Sequence, residues 1–338
     1  MRLLRCCILG ASALVTVSVM FISGISLEGC NQQLESESET ESEKPVITKS
    51  SYLPLSSCEV SRSLSSSEIP GKLYDHYLPP SSWQEIKRVF LVILENTNES
   101  SALDQTFLKN LAANGAYFSQ FYALLHPSQP NYIALVSGDL QGVTDNSAHE
   151  VDVQHIGNLL ESKGKRWKVY SEGLPSNCPT TGGSGDWVRR HVPFLSFKNV
   201  ASSPTECAKI VPSTELDQDI ATGQLPEFSL YIPDNKNNGH DTGIAYADQA
   251  MSDRFGPLLT NPLFIDGTLF VMSFDESGNK QENQIYTAFY GAGVQSGATT
   301  DACYDHISLL ATVEKIFDTG VLNKRDSFAP IIDSIWKN

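Results

Sequence analysis

The residues best equipped for chemistry sit in short polar stretches, each at the end of an apolar run. Glu95 and Asn96 close RVFLVIL, Asp275 and Glu276 close GTLFVMSF, and EFSLYI opens into PDNKNNGHDTG, which carries Asp234, Asn235, His240 and Asp241. Carboxylate and amide oxygens gathered from several strand ends are hard ligands. They suit one divalent cation, Mg²⁺, Ca²⁺ or Mn²⁺, or Zn²⁺ or Fe where a histidine joins them. One acidic pair alone is an ordinary solvated strand end, whereas three strands delivering such groups to one edge point to an ion site. Ser128 stands in HPSQPNYIALVSG, held between Pro127 and Pro130 at or just before the start of an expected helix. There its oxygen would face aligned backbone N–H groups, which favour an alkoxide or a bound phosphate. Contact with a cation would lower the hydroxyl's pKa and make it a nucleophile. The structural alternative is a simple N-cap serine.

Of the seven histidines, His240 and His306 each adjoin an aspartate, Asp241 and Asp305, that would fix the tautomer and raise basicity. Both are candidates for contacting phosphoryl oxygens or protonating a leaving group. His126 precedes the nucleophile loop, and His155, at the start of an amphipathic helix, reads as structural. Arg189, Arg190 and His191 in GDWVRRHVPF form a tight basic cluster in an acidic domain, a pattern suited to recognising a substrate anion.

These groups need a scaffold. RVFLVILE, residues 88–95, lacks alternation, as expected of a parallel strand covered on both faces. Leu103, Phe107, Leu108, Leu111 and Ala112 recur at helical spacing up to a stop at Gly115, and further strands are expected from 166, 227, 267 and 284. Helices are expected at 131–137, 155–163, 245–259 and 305–318. Such alternation implies an α/β sandwich around a mostly parallel sheet, with function at the C-terminal strand ends.

The chain has 338 residues, 41% of them hydrophobic, and a formal net charge of −15, which argues against nucleic acid as a partner. Residues 1–30 read as an export signal, with Arg2 and Arg5 ahead of a long apolar run. Leu27, Glu28, Gly29 and Cys30 resemble a bacterial lipobox, which leaves three fates open: a lipoprotein anchored through Cys30, a simply secreted protein, or an uncleaved membrane anchor. In each the remainder lies outside the cytoplasm. Residues 31–80, rich in Ser and Glu, read as a tether, and 81–338 as the catalytic domain, expected to be monomeric. Cys178 and Cys207 bracket one loop-rich insert and are expected to pair, which leaves Cys58 with Cys303; no CxxC spacing suggests a metal site.

ENTN at 95, HPSQPNY at 126, RRHVPF at 189, YIPDNKNNGHDT at 231, SFDE at 273 and YDHISLLATVEKIF at 304 resemble, in order, the phosphoesterase family of bacterial acid phosphatases and phospholipases C. The resemblance covers about 88–320 and rests on six ordered motifs. It implies a three-layer α/β/α sandwich of the alkaline phosphatase superfamily and a covalent phosphoserine intermediate. Glu95, Asn96, Ser128, Asp275 and Glu276 become ligands of one cation, with Ser128 also the nucleophile and Asn96 also a phosphate contact. Many relatives carry two aspartates where Asp275 and Glu276 stand. His240, supported by Asp241, and His306 match family histidines near the phosphoryl group, while His126, Arg190 and His191 are candidate substrate contacts. A serine nucleophile on a chain ending at 338 favours a metal-dependent acid phosphatase acting on small phosphate monoesters or a phospholipid headgroup, phosphoinositides included. A phospholipase C-type phosphodiesterase and a non-enzymatic surface lipoprotein are the alternatives.

Overall fold

Strand β1 (Arg88–Leu94) is buried from Val89 to Leu94, and β6 (Thr268–Phe274) is buried along its whole length. Continuous apolar runs of this kind are stable only between two covering layers, and the chain supplies both. The computed structural model describes residues 74–179, 182–278 and 282–338. The expected signal, the lipidation site at Cys30, most of the expected tether, and Cys58 lie outside these residues. Tyr74 and Tyr77 are already buried against the domain, and Lys315 donates to the Tyr74 carbonyl at 2.7 Å.

The other strands of the main sheet are β2 (Ala116–Phe118), β3 (Trp167–Ser171), β4 (Ile210–Pro212), β5 (Phe228–Ile232), β7 (Thr287–Gly291) and β8 (Ala298–Thr300). They lie in the order β8-β2-β7-β6-β1-β5-β3-β4. All pairings are parallel except those of β7, which runs antiparallel to both β6 and β2. The sheet is thus mostly parallel, as expected. The three-residue strands β2, β4 and β8 were not anticipated, since so short a run carries no readable period.

The longer helices are α1 (Thr106–Asn114), α2 (Ser128–Ser137), α3 (Ile156–Ser162), α4 (Glu215–Ala221), α5 (Ile244–Phe255) and α6 (His306–Ile316). Helices α1 and α5 pack together over one face of the sheet, where Phe90 meets Phe255 at 5.8 Å and Phe264 at 5.0 Å between ring centroids. An ion pair from Arg254 to Asp217 at 2.7 Å ties α4 to α5. Helices α2, α3 and α6 contact one another as a second group. The result is the expected α/β/α sandwich. Helix α2 begins at Ser128 itself, three residues earlier than the apolar pattern suggested, because polar Ser128, Gln129 and Asn131 are buried rather than exposed. Among the described residues no helix is long and apolar enough to cross a membrane.

Helix α2 ends at Gly138, which adopts φ +74°, a conformation that favours glycine, and a Cβ there would meet Asp326 Oδ1 at 2.8 Å. Asp326 receives the backbone N–H groups of Leu322 at 2.5 Å and Lys324 at 2.7 Å. Beside it lies Glu314 of α6, fully buried, with neither carboxyl oxygen hydrogen-bonded. Burial, and then the Asp326 charge, push the Glu314 pKa well up. The native state therefore holds a proton that the unfolded chain releases from about pH 4.5, so this group makes stability fall as pH rises above that value. Glu314→Gln, whose amide can donate to Asp326, is expected to melt several degrees above wild type at pH 8 and at the same temperature near pH 4, as read by calorimetric scans across pH.

Candidate active site

The site begins with strand register. Leu94 and Phe274 are direct partners in the parallel β1–β6 ladder, so the next residues, Glu95 and Asp275, leave the sheet side by side. The Asp275 N–H donates to the Leu94 carbonyl at 2.9 Å, and the Glu95 N–H to the Asn238 carbonyl at 3.0 Å, which fastens the Asn-rich loop after β5 to the same edge. Asn96 turns the chain with φ +45°, and its N–H donates to Asp275 Oδ1 at 3.1 Å. Asparagine tolerates this conformation better than most side chains.

Ser128, the first residue of α2, projects between two of these carboxylates. Its Oγ lies 3.2 Å from Glu95 Oε2 and 3.1 Å from Glu276 Oε1. The other oxygen of each carboxylate is also engaged: Tyr132 donates its hydroxyl to Glu95 Oε1 at 2.5 Å, and His126 Nδ1 contacts Glu276 Oε2. His191 Nε2 stands 3.3 Å from Glu95 Oε1, with its ring stacked on Tyr132 at 5.4 Å. The His240 ring is 6.3 Å from the His191 ring, and His240 Nδ1 pairs with Asp241 at 2.6 Å. Seven of the candidates, Glu95, Asn96, His126, Ser128, His191, Asp275 and Glu276, therefore join one connected group, with His240 and Asp241 at its exposed side.

The electrostatics of the group are strained. Glu95, Asp275 and Glu276 are all buried, and Asp275 Oδ2 has no hydrogen-bond partner. Desolvation, then the neighbouring Asp275 charge, push Glu95 well above the carboxylate range; desolvation and Glu276 push Asp275 up to about 7. Burial drives His191 the other way, toward the neutral imidazole, helped by Arg190 and His240. A serine hydroxyl carries one proton and cannot donate to both carboxylates at once. The second contact requires a proton on a carboxyl group or a cation among them. In kind, buried hard oxygens with one left unpaired fit a divalent cation. Among the described residues, however, no three His, Cys, Asp or Glu side chains are grouped so as to hold a metal ion as the chain stands.

Two expectations change. Asp305 caps α6, accepting from the Ile307 and Ser308 N–H groups at 3.0 and 2.9 Å, while His306 is oriented by the Phe274 carbonyl, 2.9 Å from its Nε2. With Nε2–H so engaged, His306 Nδ1 is buried and without a hydrogen-bond partner. In the basic cluster, Arg189 donates to the Leu195 carbonyl at 2.5 Å and holds its own loop, whereas the Arg190 charge tends to lower the pKa of Tyr132 and His191, and its Nε is buried with no hydrogen-bond partner. The disulfide Cys178–Cys207 closes the insert that carries this cluster. Cys303 is disulfide-bonded too.

Tyr132 and Asn238 were missed. A tyrosine in YIALV reads as core, and the only clue was its spacing of four residues from Ser128, which puts both on one helix face.

The sequence pattern of the phosphoesterase family matches residues 95–320, from Glu95 itself to beyond His306. The chain belongs to the phosphoesterase family. Curated relatives include a probable acid phosphatase of Kluyveromyces lactis, 33% identical over 74% of this chain and 62% of its own length, and an acid phosphatase of Aspergillus fumigatus, 30% identical over 81% and 64%. The chain thus spans less than two thirds of these two fungal phosphoesterases. It covers 86% of a Mycobacterium tuberculosis phosphatidylinositol-3-phosphatase, 33% identical over 77% of this chain. Among solved structures, an alkaline phosphatase superfamily protein from Vibrio parahaemolyticus superposes with a TM-score of 0.55 at 14% identity, covering 78% of this chain and 72% of that one. The lipoteichoic acid synthase LtaP of Listeria monocytogenes gives 0.52 at 10% identity, covering 74% and 78%. Both share the fold.

Asp275→Asn keeps an acceptor for the Asn96 N–H and replaces a desolvated charge with an amide that can donate to the neighbouring carboxylates. In protein treated with a chelator at pH 8 it is expected to raise the melting temperature by a few degrees; a lower value would mean that the carboxylate stabilises the fold.

Proposed function

We propose that the chain is a metal-dependent phosphomonoesterase of the acid phosphatase kind, working through a phosphoserine on Ser128. The observation that carries this reading is a buried helix-start hydroxyl set between two carboxylates, which can take its proton, at the first turn of a helix that favours an anion. Glu95, Asn96, Ser128, Asp275 and Glu276 would hold the cation. Bound there, it would supply positive charge that lowers the serine pKa and draws electron density from phosphorus.

Ser128 Oγ attacks phosphorus in line as a flanking carboxylate accepts its proton, and the bond from phosphorus to the leaving oxygen breaks. Arg190, with its unpaired Nε, and His191 hold the substrate's anionic oxygens from the insert side. His240, exposed and paired with Asp241, is the group suited to give the leaving oxygen a proton. His306 is not assigned that step: burial lowers its pKa, and its Nε2–H is committed to Phe274, so it steadies the strand end behind Asp275. Water then attacks the phosphoserine and releases inorganic phosphate with a restored Ser128. Similarity to fungal acid phosphatases supports the monoesterase reading, and similarity to the mycobacterial phosphatidylinositol-3-phosphatase supports a phosphoinositide substrate. A lipid anchor at Cys30 would place such a site beside its substrate.

Ser128→Ala is expected to cut kcat on p-nitrophenyl phosphate at least about a thousandfold with an unchanged melting temperature; full activity in that variant ends the proposal. Chelation is expected to abolish turnover and add-back of a divalent cation to restore it. Faster cleavage of p-nitrophenylphosphorylcholine than of p-nitrophenyl phosphate would instead mark a phosphodiesterase.

A further inference from the structure

We infer that His126 and Tyr132 are positioning residues, each fixing one of the two carboxylates that face Ser128. The inference rests on the phosphoserine reading above and extends it. Glu95 offers Oε2 to Ser128 Oγ at 3.2 Å while its Oε1 is held by the Tyr132 hydroxyl at 2.5 Å. Glu276 repeats the arrangement, with Oε1 on Ser128 Oγ at 3.1 Å and Oε2 held by His126 Nδ1. In both cases one oxygen faces the nucleophile and the other is tied to a ring.

The need for such ties follows from the side chains. The last torsion of a glutamate is broad, so a free carboxylate samples many orientations about its axis. Fixing one oxygen fixes the other. Glu276 has one methylene more than an aspartate, which adds a torsion and makes an anchor on its far oxygen more necessary. Among the described residues, both anchors come from the segment that carries the nucleophile. His126 and Ser128 flank Pro127, and Tyr132 stands one helical turn beyond Ser128 on the same face. The segment is itself clamped: Asn131 Oδ1 accepts from the Leu124 and Leu125 N–H groups at 2.8 and 3.0 Å, and its Nδ2 donates to the Leu125 carbonyl at 2.6 Å. Gln129 N–H is held by Asn146 Oδ1 at 3.0 Å. Tyr132 is 1% exposed and stacked on His191, so its hydroxyl has a single aim. A phenylalanine would fill that space; the hydroxyl adds only the hold on Glu95.

The test uses the full chain, freed of metal by chelation and titrated with Mn²⁺ in a calorimeter, alongside kinetics on p-nitrophenyl phosphate. Tyr132→Phe and His126→Ala are each expected to weaken Mn²⁺ binding and lower kcat by about 10- to 100-fold, with KM within about twofold of wild type. His126→Asn, whose amide nitrogen can stand where Nδ1 stood, is expected to recover most of the loss. If both positions yield folded variants with Mn²⁺ affinity and kcat within about twofold of wild type, the inference is overturned. A raised KM with unchanged kcat in His126→Ala would place that ring on the substrate and overturn the His126 half. Should Tyr132→Phe not fold, the His126→Ala and His126→Asn pair decides for the shared principle. Ser128→Ala run in parallel separates the two levels: activity retained there removes the phosphoserine reading, whereas an inactive Ser128→Ala beside undisturbed anchor variants removes only this inference.

Discussion

One hydroxyl proton set against two carboxylates is the constraint on which the arrangement turns. Ser128 cannot satisfy Glu95 and Glu276 together, and Asp275, pressed beside them with an unpaired oxygen, adds a third buried acid. Buried charge without compensation is costly. Left to relax, such acids would swing apart or toward water. The fold prevents this by over-determining each: backbone register for Glu95 and Asp275, an N–H from Asn96 for Asp275, a phenol for Glu95 and an imidazole for Glu276. The unfavourable charge balance thereby becomes an appetite for a cation or a proton.

The large elements were legible because their burial leaves a mark. β1, β5 and β6 are mostly apolar runs without strand alternation and α1, α5 and α6 keep helical spacing, so both the sandwich and the edge that carries Glu95, Asp275 and Glu276 could be read directly. The three-residue strands could not, and neither could the antiparallel course of β7, because strand direction depends on the path of the chain rather than on residue pattern. Within the site, groups announced by acidic or basic side chains were found, and Tyr132 was not, since an aromatic residue in an apolar helix carries the same signal whether its hydroxyl is idle or engaged. Asp305 was read in part: its charge does raise the basicity of His306, but its carboxylate also caps the helix start, and a sheet carbonyl orients the imidazole.

The insert closed by Cys178 and Cys207 brings arginine and histidine side chains toward the acids. His191 reaches inward from it to lie between Tyr132 and His240, while Arg189 turns back to hold the loop's own backbone. Adjacent residues of similar type thus divide into one that builds the loop and others that meet the site, and conformation rather than composition decides which is which.

Asn96 and Asp275, joined by one hydrogen bond, are 179 residues apart in the chain. No local hairpin can bring them together; β6 must dock beside β1, across a long stretch of chain, before the acids share a neighbourhood. Truncated or half-threaded chains would be chemically silent even where their secondary structure had formed. The assembled site would therefore report the completed topology, since the acids meet only once β6 has docked beside β1.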